Sequence, residues 1–342
     1  MDIHSKGLIA VLTGNVIFGF SFLFSRLALN ITIPSVLVAY RFLAAFLVMN
    51  IIVAAGRMIK KKDGSPLVEF SLKGKPLGNV LLMALVQPVM YFFCETYGIY
   101  FTSSAFAGTI IAIIPIMGIV FDRIFMKSEI RRRHVVCAVV SVAGVIVTTL
   151  GARGMKSSLT GILFLGGAVC FGALFYVFSK KSAEHYNAIE RTYIMFAMAS
   201  AVFIAFALIQ CRGVSGELMV EPLMKGIFII AVLYLAVISS VAAFICQNWG
   251  NNYVTVSEAT LFANLTTVIS IFAGVVFLRE EFTLQQIIGA AAIIGSVYAA
   301  NTKKGDRDVN KEGNQKGSTE GQKRAGRRNG SSGFPGYLPQ NS

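Results

Sequence analysis

The chain has 342 residues, 55% of them hydrophobic and only 14% charged, with a mean hydropathy of +0.67. About a quarter of the residues of a soluble domain are Asp, Glu, Lys or Arg, so this composition excludes one. The net charge of +14 does not indicate nucleic acid, because the basic residues sit in short loops and after residue 301 rather than on one folded face.

Ten apolar segments are predicted, at about 8–27, 35–55, 77–98, 103–122, 134–150, 159–179, 190–210, 226–246, 256–278 and 284–301. Most approach the roughly 20 residues that cross a hydrocarbon core as a helix. In lipid each must be helical, since an unpaired backbone amide there costs several kcal/mol. The expected fold class is an all-α polytopic membrane protein with ten transmembrane helices. The first segment lacks a small-residue cleavage site and reads as a permanent span rather than a signal peptide.

Polar groups inside spans are costly and mark cavities or partners. Span 1 holds Asn15 and the rings Phe18 and Phe22, and span 2 holds Arg41 near its outer end. Span 3 holds Gln87, Pro88, Tyr91 and Glu95, while span 4 carries Pro115. Span 6 carries Tyr176, and span 9 carries Glu258 at its start, then Asn264 and Thr266. The candidate substrate-binding set is Asn15, Phe22, Arg41, Gln87, Tyr91, Glu95, Tyr176 and Asn264. Arg41 suits a carboxylate and Glu95 an amine or a proton; the plain alternative is a static ion pair. Asn15, Gln87 and Asn264 line a cavity or bond between helices. Pro88 and Pro115 each free a carbonyl and bend their helices. Glu190 and Glu258, in first turns, read as helix-capping carboxylates.

Loops set the orientation. Between spans 2 and 3 lie Arg57, Lys60, Lys61, Lys62, Lys73 and Lys75, and between spans 4 and 5 lie Arg123, Lys127, Arg131, Arg132 and Arg133. Lys180, Lys181 and Arg191 follow span 6, whereas loops of opposite parity are poor in basic residues. Both termini are therefore expected in the cytoplasm, in a multi-pass cell-membrane protein. Residues 302–342, rich in Gly, Asn, Lys and Arg, read as a disordered basic cytoplasmic tail.

The chain also repeats. At an offset of 152, Tyr97 falls on Trp249 and Glu129 on Glu281. "FMKSEIRRR" at 125–133 carries net +3, and its counterpart "FLREEFTLQ" at 277–285 carries net −1. Two five-span units, 1–150 and 151–301, explain that reversal. Five is odd, so the second unit enters the membrane inverted, and its strip lies outside, where Lys and Arg are thinned. Inverted repeats suit alternating access.

The short strip before each unit's last span, with Arg279, Glu280, Glu281 and Thr283 in the second unit and Lys127 and Glu129 in the first, resembles the EamA family of the drug/metabolite transporter superfamily. "IIGAAAIIGS" at 287–296 and the Pro115-containing fourth span resemble it too, over about residues 7–301. The first unit departs at "EIRRR", without the threonine, and the second has Thr267 opposite Pro115. The resemblance implies a secondary transporter, often an exporter of amino acids, related metabolites or drugs. Its pathway would be lined by spans 1–4 and 6–9. No GxxxxGK[ST] motif is present, so no nucleotide or other cofactor is expected. The expected partners are a small-molecule substrate, the lipid bilayer and protons as a candidate coupling ion, with a homodimer as a candidate assembly. The rivals are a passive channel and a membrane assembly protein without transport. An enzyme is not expected: no HExxH or GxSxG is present, the three histidines lie near loops, and the five cysteines lack metal-ligand spacing.

Overall fold

A computed structural model describes residues 1–60, 65–101, 110–150, 158–212, 216–278 and 284–301. Most of the described residues are helical, and they form no strand apart from one isolated bridge between Lys60 and Pro66. In chain order the helices are α1 Ile3–Leu29, α2 Pro34–Met58, α3 Gly78–Ala84, α4 Tyr91–Phe101, α5 Ile114–Met126, α6 Arg132–Leu150 and α7 Leu159–Ser182. Then come α8 Ala188–Gln210, α9 Gly226–Leu233, α10 Ala243–Gly250, α11 Val256–Leu261, α12 Leu265–Leu278 and α13 Leu284–Asn301.

Among the described residues six helical stretches are long and apolar enough to cross a membrane: α1, α2, Gly78–Gly98, α7, α8 and Gly226–Gly250. Val256–Ile269 and Ile287–Ala300 are apolar but shorter. The front of the expected fourth span (102–109), the strip 279–283, the tail 302–342 and the Phe22 side chain lie outside the described residues.

Local sequence sets the ends. Pro34 opens α2, where its missing N–H costs nothing, and Arg57 sits in the last turn against the helix dipole. Ser158 caps α7 by accepting from the Gly161 N–H at 3.1 Å. Asn187 with Glu190 and Thr255 with Glu258 form capping boxes on α8 and α11, as expected for those two glutamates.

Two spans are irregular. Between α3 and α4 the backbone leaves helical geometry at Gln87 (φ −148°, ψ 127°), just before Pro88. Between α9 and α10, residues Tyr234–Ala242 wind as a π-helix. These irregularities fall at equivalent places, since the 152-residue offset carries Gln87–Pro88 onto Ser239–Ser240, the first a break and the second a π-helical stretch. Non-helical backbone at membrane depth is tolerated only where it lines a cavity or is buried in protein, and π-helical stretches are frequent at functional sites.

Packing follows one rule twice. Helix α1 runs antiparallel to the 226–250 span and parallel to α11 and α12. A Cβ on Gly7 would lie 2.8 Å from the Tyr253 Cβ, one on Gly14 would lie 3.1 Å from the Ala243 carbonyl, and one on Gly19 would press into the Ile269 Cβ. Helix α7 runs antiparallel to the 78–101 span and parallel to α5. Gly167 faces Cys94, Gly172 faces both Tyr91 and Ile114, and Ser182 bonds the Met83 sulfur. So the first helix of each half packs on the third and fourth segments of the other. α2 and α8 pair antiparallel through Phe42 against Phe196 and Phe203 and through Tyr193 against Asn50.

The beginning of α1 and the end of α7 meet the same turn. His4 bonds Glu258 at 3.3 Å and Gly7 abuts Gly250, while Ser179 bonds Asn248 at 2.9 Å and Lys180 bonds the Val254 carbonyl. α1 and α7 therefore run in opposite senses.

On the same side Asp122 joins α5 to α11. Its carboxylate, 3% exposed, accepts from the Ser257 N–H (3.2 Å) and hydroxyl (2.7 Å) and from the Ser128 hydroxyl (2.8 Å). Asp122→Ala strands all three donors, and a thermal melt in detergent is expected to show a loss of about 1–3 kcal/mol. Asp122→Asn, which keeps acceptor capacity, should lose less.

Candidate functional site

The site is built around the two irregular spans. Arg41, on the second turn of α2, is 5% exposed. Its Nε donates to the Ser240 hydroxyl at 2.9 Å and its Nη2 to the Ser239 hydroxyl at 3.1 Å. Its guanidinium lies 5.1 Å from the Phe92 ring centroid and 5.5 Å from that of Phe42. A guanidinium has five N–H donors, so three remain after these two bonds.

Glu95, on α4, is within electrostatic reach of Arg41 but makes no contact ion pair with it. Its Oε1 accepts instead from the Tyr91 hydroxyl at 2.9 Å. Tyr91 stands edge-on to Phe92 at 5.3 Å and packs on Gly172 of α7, where a methyl group would come within 3.2 Å of the ring. That close approach is what a glycine allows in a helix crossing. Tyr176, one turn further along α7, lies near enough to Tyr91 to interact electrostatically. Gln87 is half-buried at the break, and its amide makes no side-chain hydrogen bond among the described residues.

The structure thus brings Arg41, Gln87, Tyr91, Glu95 and Tyr176 to one region. A cation and a carboxylate stand apart there without neutralising each other, with aromatic faces between and beside them. Such a place can receive a small solute with a negative and a positive end, or an amine against the rings and Glu95.

Two expected members stand elsewhere. Asn15 is 2% exposed and donates to the Val11 carbonyl (2.8 Å) and Gln247 Oε1 (3.4 Å), joining α1 to α10. Asn264 is 3% exposed and donates to the Ala112 carbonyl (3.3 Å) and the Ser141 hydroxyl (2.9 Å). Both make interhelical bonds.

Sequence reasoning missed Ser239 and Ser240, which hold Arg41. The signal was available: they are a polar pair in an apolar span, displaced by the repeat offset from Gln87–Pro88. It also missed the network of Arg191, which is fully buried and bonded to the Ser179 and Asn248 carbonyls and to Asn252 Oδ1. That arginine reads as a loop charge until the ends of α7 and α10 are seen folded over it.

Long apolar helices, two of them irregular at matching places around a charged and aromatic centre, define a multi-pass membrane protein of the transporter class. The model of the EamA-like transporter family matches the chain twice, over residues 5–150 and 159–302, and the chain belongs to that family. It is similar to the uncharacterized transporter YcxC of Bacillus subtilis (29% identity, covering 87% of this chain and 93% of the relative). It is also similar to an uncharacterized transporter of Archaeoglobus fulgidus (21% identity, covering 84% of this chain and 95% of the relative). A solved crystal structure shares the fold, with a TM-score of 0.72 at 19% identity over 87% of this chain and 96% of that one.

Proposed function

We propose that this chain is a secondary active carrier that moves small organic metabolites, such as amino acids, amines or drug-like solutes, by alternating access, working as an exporter in the cell membrane. Its ten spans form two inverted five-helix repeats, residues 1–150 and 151–301, followed by a basic tail. Both termini face the cytoplasm, and a proton is the candidate coupling ion. The solute rests between Arg41 and Glu95, with Gln87, Tyr91, Tyr176, Phe22, Asn15 and Asn264 along its path.

The observation that carries this reading is the reciprocal packing of the halves. Antiparallel α1 and α7 each seat against the other half's third and fourth segments, an arrangement in which the halves can trade conformations about a central site. The separated charges, Glu95 just past the break at Gln87 and Arg41 bonded to the π-helical stretch at Ser239 and Ser240, support placing the solute there.

The test is solute flux in proteoliposomes under an imposed gradient, screened with amino acids, amines and aromatic solutes. Saturable, gradient-driven accumulation of at least one solute is expected. Ohmic current would replace the carrier with a channel, and no flux of any solute would sink the transport reading. Cysteine labelling in the 125–133 and 279–283 strips should report opposite sides of the membrane; labelling from one side would remove the inversion.

A further inference from the structure

The dipeptide Glu190–Arg191, at the start of α8, does more than cap a helix. Both side chains are buried, at 1% and 0% exposure. Glu190 holds the loop that follows α2: its Oε1 accepts from the Ser71 N–H at 2.7 Å, and its Oε2 accepts from Lys75 Nζ at 2.6 Å. The Asn187 amide fastens the same loop through the Glu69 carbonyl at 2.7 Å. Around it, Phe70 stands edge-on to Tyr193 at 5.0 Å, and Lys75 lies 5.1 Å from the Tyr186 ring.

Arg191 faces the other way. Its Nη1 donates to the Ser179 carbonyl and its Nη2 to the Asn248 carbonyl and Asn252 Oδ1. Those carbonyls are the last-turn acceptors of α7 and α10, whose helix dipoles are negative there. No carboxylate pairs with Arg191 among the described residues. Two neighbouring residues thus tie four pieces of chain together at the end where α1 begins and α7 finishes.

The opposite end is held differently. There the segment before α9 is fastened to α2 by the Tyr40 hydroxyl on the Met219 carbonyl (2.8 Å) and to the turn before α2 by the Thr32 hydroxyl on the Leu218 carbonyl (3.5 Å). Both bonds are neutral, and the charge-assisted bonds of this half are those of Arg41 to Ser239 and Ser240, a residue deeper along α2.

We propose that Glu190 and Arg191 are the inner gate of the transport cycle, and that their bonds set the balance between the closed and the inward-open state. The proposal rests on the carrier reading above. In each cycle the start of α8 and the 65–77 loop part from the ends of α7 and α10, and solute passes between them. Glu190 and Arg191 are positioning residues, which never need to touch the solute.

The test uses the full chain in lipid nanodiscs, with its five cysteines replaced and spin labels at Lys73 and Tyr253, on either side of the latch. A closed, narrow distance distribution is expected for the parent protein and for Glu190→Asp, which keeps the carboxylate. Glu190→Gln, Lys75→Met and Arg191→Lys should each raise the open-to-closed ratio at least about ten-fold, seen as a longer second distance. Lys75→Met attacks the latch from the loop and keeps the test valid should an α8 variant fail to fold. Unchanged distances in folded latch variants overturn the gate, even where solute flux is normal and the carrier reading stands. A longer distance in variants of a protein that moves no solute leaves the hinge in place and fells the carrier reading instead.

Discussion

Arg41→Gln is expected to cut gradient-driven flux in proteoliposomes by about 100-fold while leaving a folded, monodisperse protein. The guanidinium spends one N–H on Ser240 and one on Ser239, and its remaining donors face a region with a distant carboxylate and flanking rings. A hydrogen bond to a charged group is worth about 1.5–3 kcal/mol, so losing two to a solute's anionic end predicts a hundred-fold effect or more. The fold should survive, because the Ser239 and Ser240 hydroxyls can turn back to carbonyls one helical turn earlier. Arg41→Lys keeps the charge but cannot span both serines and still reach a solute, so it should fall between. Normal flux in Arg41→Gln, with a melting temperature clearly lowered, would make Arg41 a strut between α2 and the 234–242 segment.

Gly250→Val is expected to destabilise the protein by about 3 kcal/mol or more, and Gly250→Ala by about 1–3 kcal/mol. A Cβ there would stand 2.8 Å from the Gly7 carbonyl oxygen and 2.7 Å from a Val11 methyl group. The Gly7 oxygen is backbone, so relief requires α1 to back away from α10 rather than one side chain to turn. Close helix approach is what holds spans together in lipid, where the hydrophobic effect no longer drives them together. Thermal unfolding in detergent measures the loss. An unchanged midpoint would mean that α1 does not rest on this crossing.

The sequence made the membrane class readable because composition and segment length answer to one constraint, the thickness of hydrocarbon. It made the repeat readable because the 152-residue offset aligns short polar strips. The capping glutamates were readable as well, since capping is local chemistry. The centre was half-readable. Arg41, Tyr91, Glu95 and Tyr176 stand out as costly groups in apolar runs, and they do assemble. Ser239, Ser240 and Arg191 did not stand out. Serine is a mild perturbation of a span, and an arginine near a loop reads as a topology charge. What gives these residues their weight is which helix ends fold over them, a long-range property that residue type alone does not carry. Asn15 and Asn264 show the converse, because polarity at mid-span is shared by residues that face a path and residues that stitch helices.

Asn264 has one further meaning. Its amide reaches the carbonyl of Ala112, the residue 152 positions earlier and hence its own counterpart in the other half. In the inverted repeat proposed above, a residue that touches its own counterpart would sit at the pseudo-two-fold axis, so the Asn264–Ala112 bond would stay intact while the helices to either side rock.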